Sequence, residues 1–146
     1  LQRRGALRPG GRMPAGDACE FTLRLTTRAS KVLIIDDNEG LVELLERYLS
    51  SQMCHVFTAA TGQEGLERAQ ELIPDAIVLD VMMPGMDGWE LLQRLRTNPA
   101  TRAVPIVVCT VFNDPELAYS LGASLFLPKP LSRDALLESL RQIGIL

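Results

Sequence analysis

The sequence predicts a doubly wound α/β domain of five parallel strands alternating with five helices. Three observations carry this reading. From Lys31 onward, short β-branched and aliphatic runs alternate with segments whose apolar residues recur at helical spacing. The connections are short, which favours a parallel sheet with helices on both faces. The run Ala76-Ile77-Val78-Leu79 is apolar without alternation and ends in Asp80, with Pro84 and Gly85 turning the chain shortly after, as in a strand buried on both sides.

Residues 1–29 hold six Arg against Asp17 and Glu20, a net of +4, and are rich in Gly and Pro. No signal-peptide core is present, so this part reads as a basic extension or linker. The alternation of Phe21, Leu23 and Leu25 leaves a short edge strand as the alternative. Residues 30–146 form the expected domain and hold nine Lys/Arg against sixteen Asp/Glu, a net of −7. That acidity argues against a nucleic-acid surface.

Val32-Leu33-Ile34-Ile35 makes the first strand and ends in Asp36-Asp37. Asn38 caps a helix that buries Leu41, Val42, Leu44, Leu45, Tyr48 and Leu49. A second strand is centred on His55–Thr58, and His55 reads as an ordinary surface or edge residue. Thr61 and Glu64 have capping-box spacing for a helix that runs to Leu72, where Pro74-Asp75 breaks it. After the Asp80 strand, Asp87 and Glu90 start the third helix, with Leu91, Leu92 and Leu95 inward and Asn98-Pro99 as its stop. Strand four is Pro105–Thr110. Asp114 and Pro115 open a fourth helix that ends near Gly122. Strand five is Ser124–Leu127, Pro128-Lys129-Pro130 follows, and Ser132 caps the last helix with Leu131 and Leu136 as a hydrophobic staple.

A hydrophobic content of 47% supports a core. No apolar run approaches the roughly 20 residues of a membrane span. Three cysteines without CxxC spacing argue against a disulfide framework or zinc site and for a reducing cytoplasm.

In a parallel sheet, residues at strand carboxyl ends share one edge. Asp36 and Asp37 after strand one, Asp80 on three, Thr110 on four and Lys129 after five therefore converge. Bare carboxylates so gathered repel one another, and a hard divalent cation relieves the repulsion. Few carboxylates with open positions describe a magnesium site, with manganese possible. Lys129 offers a positive charge and Thr110 a hydroxyl to an incoming phosphoryl group, for which Asp80 is the candidate nucleophile.

The segments Val32–Asp37, Ala76–Gly88, Ile106–Thr110 and Leu127–Pro130 resemble the receiver domain of two-component response regulators. Asp-Val-Met-Met-Pro-Gly-Met-Asp-Gly is the most specific of them, and the similarity spans about Ser30 to Leu146. The resemblance implies a flavodoxin-like fold with strand order 2-1-3-4-5. It implies that Asp80 is the phosphoacceptor and that Asp36, Asp37 and the Met82 backbone carbonyl join Asp80 around magnesium. By the same resemblance, Thr110 and Lys129 contact the phosphoryl group, Phe126 is the aromatic switch, and Lys129-Pro130 is cis. The phosphoryl group would come from a sensor histidine kinase or a histidine phosphotransfer protein. Phosphorylation would alter a face of helix four, strand five and helix five that binds a downstream protein or a second copy. The chain would catalyse only its own phosphorylation and dephosphorylation.

The sequence departs from the family pattern in three ways. Val111 stands where Ala or Gly is usual, and a branched side chain there narrows access to the pocket. Met82 and Phe112 occupy positions that tune the phosphoryl lifetime and cannot orient a water, so slow dephosphorylation is expected. Thr110 to Gly122 is also about a helical turn short, which predicts a trimmed fourth helix. A DNA-binding regulator would need an output domain for which this sequence has no room, and two further rivals stand beside the receiver reading. One is a phosphorylation-incompetent pseudo-receiver acting as a constitutive binding module. The other is a haloacid dehalogenase-like phosphohydrolase, disfavoured because Met82 stands where its second acid belongs.

Overall fold

A computed structural model describes residues 29–146 apart from Pro84 and Met86. The readings of residues 1–28, including the strand at Phe21–Leu25, lie outside the described residues. The elements are β1 (Ser30–Ile35), α1 (Glu39–Leu49), β2 (Cys54–Ala59), α2 (Gly62–Leu72) and β3 (Ala76–Leu79), then α3 (Gly88–Thr97), β4 (Ile106–Thr110), α4 (Pro115–Ser120), β5 (Leu125–Pro128) and α5 (Arg133–Gln142). Every strand pair is parallel and the order is β2-β1-β3-β4-β5, the expected flavodoxin-like arrangement. Ile35 pairs with Ala59 on one side and Leu79 on the other, and Thr110 pairs with Pro128. The carboxyl ends of the strands thus finish together.

Alternation along the strands builds two cores. Leu33, Ile35, Ile77, Leu79, Ile106 and Val108 face Leu91, Leu92 and Leu95 of α3, with Ala69 and Ala118. Val32, Ile34, Val78 and Cys109 face Leu45 and Leu49 of α1 and Leu136, Leu137 and Leu140 of α5. β1 and β3 are thereby apolar on both faces, which is why their sequences do not alternate in polarity. The expected staple residues Leu131 and Leu136 are both buried in the second core.

The predicted caps are in place, with one shift. Asn38, Thr61, Asp87, Asp114 and Ser132 each accept a hydrogen bond from an N–H in the first helical turn. Glu64 reaches back to the N–H of Ala60 at 3.1 Å, one residue earlier than a capping box requires. β4 starts at Ile106, because Pro105 has no N–H for the ladder; its carbonyl accepts from Ile77 instead. β5 runs one residue later than expected, since Ser124 is occupied at the sheet's end. Its Oγ accepts from Ile106 N–H and from Arg96. Arg96 also donates to the carbonyls of Gly122, Arg102 and Val104, tying the end of α3 to the α4–β5 turn. α4 has six residues, against ten or eleven in the other helices, as the short spacing predicted.

Helix α2 is capped at its carboxyl end by Ile73, whose φ of +44° is left-handed. A β-branched residue is strained there, and glycine is not. Ile73→Gly should therefore raise unfolding free energy by about 1 kcal/mol, read as a higher denaturant midpoint at unchanged slope. A lower midpoint would show that the half-exposed isoleucine contributes more by packing than its backbone costs.

Candidate functional site

Each strand end reaches the shared edge with its polar side chain aimed by a local backbone donor. The Asn38 N–H donates to Asp36 Oδ1 at 2.9 Å, and the Met82 N–H to Asp80 Oδ1 at 2.9 Å. The Phe112 N–H donates to Thr110 Oγ1 at 3.2 Å. In all three the side chain accepts from two residues onward, which bends the chain off the strand. The second carboxylate oxygens are left for a cation. Lys129 Nζ lies 2.9 Å from Asp36 Oδ2 and 3.1 Å from Asp80 Oδ2. Its own backbone N–H donates to Thr110 O at 3.0 Å, and the Lys129–Pro130 bond is cis, as expected.

Asp36 and Asp80 are buried, and the Lys129 side chain is 14% exposed. Burial pushes the Asp36 carboxyl above its ordinary range, against the Asn38 N–H and Lys129, which pull it down. Burial also opposes the Lys129 charge, but the hydrogen bonds to Asp36 and Asp80 win and raise it above its ordinary 10.5. The Lys129 contribution is therefore fully present at neutral pH and up to that value and is lost as pH rises through the raised one, while at the acid end the ion pair with Asp36 is lost as that raised carboxyl takes up its proton.

Asp37 is exposed, yet Asp36, Asp37 and Asp80 each present an oxygen within 4.8 Å of the others. An all-oxygen donor set of that span fits a hard divalent cation.

The remaining predicted residues surround this centre. Thr110 is fully buried, with its hydroxyl on Phe112 N–H. Phe126 is half-buried against the first core, and its N–H donates to the Tyr119 hydroxyl at 3.2 Å. Met82, Val111 and Phe112 are exposed at 53%, 68% and 44%. Val111 thus projects from the rim, beside a groove lined by Leu41, Leu44, Lys129, Pro130 and Leu131. Phe112 meets Trp89 edge-on, with ring centroids 6.1 Å apart.

Cys109, next to Thr110, is buried and its thiol is pushed up to about 11 by that burial, so it is an inert packing residue. The sequence reading missed the backbone donors of Asn38 and Met82. The signal was an Asp followed by a turn, which invites an acceptor bond two residues on.

Removing the ammonium leaves two buried carboxylates facing each other. In metal-free protein at neutral pH, Lys129→Met should lower stability by about 3 kcal/mol, and added magnesium should recover part of the loss. Equal unfolding midpoints for the two proteins would refute this.

Comparison with known proteins gives the same picture. A model of the response regulator receiver domain matches residues 32–141. Response regulator PleD of Caulobacter vibrioides is 38% identical over 118 residues, which make up 79% of this chain and 26% of that protein. Alkaline phosphatase synthesis transcriptional regulatory protein PhoP of Bacillus subtilis is 39% identical over 105 residues, 70% of this chain and 43% of that protein. The chain thus spans less than half the length of these two relatives. Chemotaxis response regulator CheY4 of Vibrio cholerae superposes with a TM-score of 0.74 at 32% identity, over 79% of this chain and 98% of that one. The signal receiver domain of a signal transduction histidine kinase from Syntrophus aciditrophicus gives 0.72 at 28%, over 79% and 89%. Its strand order, its cluster of acids around one lysine and these matches make this chain a member of the response regulator receiver domain family.

Proposed function

We propose that this chain accepts a phosphoryl group on Asp80 from the phosphohistidine of a sensor kinase or phosphotransfer protein. The acyl phosphate then changes a protein-binding face made of α4, β5 and α5. One observation carries the reading: Lys129 is bonded to both Asp36 and Asp80, and Asp37 stands near enough for the three acids to share an ion. At a sheet's carboxyl edge, where open α/β sheets bind their ligands, that charge pattern suits the transfer of an anionic group at a cation site.

The residues that would hold magnesium or manganese are Asp36, Asp37, Asp80 and the carbonyl of Met82. When bound, the ion supplies charge neutralisation for the carboxylates and the phosphoryl oxygens. An Asp80 oxygen attacks phosphorus, the P–N bond of the donor breaks, and its electron pair leaves on the imidazole nitrogen. The Met82 N–H keeps the Asp80 carboxylate in orientation. Lys129 gives up its bond to Asp80 and pairs with the new phosphoryl oxygens.

The Thr110 hydroxyl leaves the Phe112 N–H for a phosphoryl oxygen, and Phe126 moves toward the space released. That biases the α4–β5–α5 face between two packings. Reversal needs a water aimed at phosphorus, and neither Met82 nor Phe112 has a polar group to aim it. The chain turns over no external substrate.

Incubation with acetyl phosphate and magnesium should add one phosphoryl mass to wild type and none to Asp80→Asn. Absence of the adduct in wild type, with a phosphohistidine donor also failing, sinks the proposal. Beryllofluoride with magnesium should shift amide resonances at Thr110 and Phe126 and across α4, β5 and α5; an unmoved face refutes the switch. The phosphorylated form should persist for minutes or longer, and loss within seconds would show that the apolar rim does not hold off water.

A further inference from the structure

Gly88 opens α3 directly against the loop that leaves β3. A Cβ added there would lie 2.2 Å from the Val81 Cα, 2.6 Å from its carbonyl oxygen and 2.7 Å from its carbonyl carbon. These are backbone atoms, so no rotamer change makes room, and either α3 or the Val81–Met82 backbone has to move. Leu91, Leu92 and Leu95 anchor α3 in the first core with no exposed surface. Val81 and Met83 are buried in that same core, but the Val81–Met82 peptide lies beyond the end of β3, outside both strand and helix ladders, and Met82 is largely exposed. The loop is the side that yields.

That loop carries the Met82 N–H bonded to Asp80 Oδ1, so its displacement rotates the Asp80 carboxylate out of place. We infer that Gly88 is a positioning residue for Asp80: its missing side chain lets α3 seat on Val81, which sets Met82 where it orients the carboxylate. The inference rests on the proposed function in treating Asp80 and the Met82 carbonyl as metal ligands. Gly88 then acts on ion affinity from outside the ligand set, as supporting residues of metal sites do.

A second glycine supplies the control. Gly122 has a φ of +108°, and a Cβ there would meet the Arg96 Cγ at 2.7 Å. It lies in the α4–β5 turn, away from the acids, so alanine there strains the fold without touching the Asp80 loop.

The test uses the full chain as wild type, Gly88→Ala and Gly122→Ala, titrated calorimetrically with magnesium alone. Gly88→Ala should raise the magnesium Kd by about tenfold. Its Met82 amide proton should move upfield in metal-free protein, as the bond to Asp80 weakens. Gly122→Ala should melt at a lower temperature yet keep the wild-type Kd and Met82 shift. A Gly88→Ala protein with wild-type Kd and Met82 shift overturns the inference and leaves the proposed function standing. Wild type that binds no magnesium overturns both. Should Gly88→Ala fail to fold, the same measurements in an Ile73→Gly background decide the matter.

Discussion

Two carboxylates buried at the mouth of one sheet edge stay charged only with a cation between them, and the rest of this site is arranged around that constraint. Asp36 arrives from β1 and Asp80 from β3, adjacent strands that finish level. Lys129 arrives from beyond β5, two strands away from β3, and its backbone is pinned to Thr110 so that the ammonium reaches both acids. A charge buried without such a partner would cost several kcal/mol. The pairing therefore explains how the acids are tolerated.

The aiming of these groups depends on one local device used three times. At the ends of β1, β3 and β4 the side chain of Asp36, Asp80 or Thr110 accepts the N–H two residues on. Each bond satisfies a backbone donor that has left the ladder and fixes one oxygen of the side chain. For the two acids the other oxygen goes to Lys129; for Thr110 the hydroxyl oxygen accepts from the Phe112 N–H, which leaves its own proton to donate elsewhere. The same geometry that terminates a strand thus leaves a polar group ready for chemistry.

Around this polar centre several of the exposed side chains are apolar. Met82, Val111 and Phe112 are all substantially exposed, and Trp89 meets Phe112 edge-on. Side chains of this kind offer no polar group to hold an ordered water beside Asp80. At the other end of the same β4–β5 region the short α4 is held by Arg96 through the α4–β5 turn and by Tyr119 through Phe126. The trimmed helix is anchored at its carboxyl end, while its entry loop carries the exposed residues nearest Thr110.

Much of this was readable from the chain, because the determinants were local. Strand and helix periodicity, the caps at Asn38, Thr61, Asp87, Asp114 and Ser132, and the shared carboxyl edge of a parallel sheet all follow from spacing and short connections. Those rules alone place Asp36, Asp37, Asp80, Thr110 and Lys129 on one edge. They did not give the contacts that depend on where separate elements meet in space: Lys129 bridging both acids, Arg96 gathering four acceptors, Val111 facing solvent at the rim, or the absence of room for a Cβ at Gly88. Sequence determined which groups come to the edge because alternation and topology act along the chain. Only the tertiary structure decided which of them touch, since that is settled by the register and packing of elements far apart in sequence.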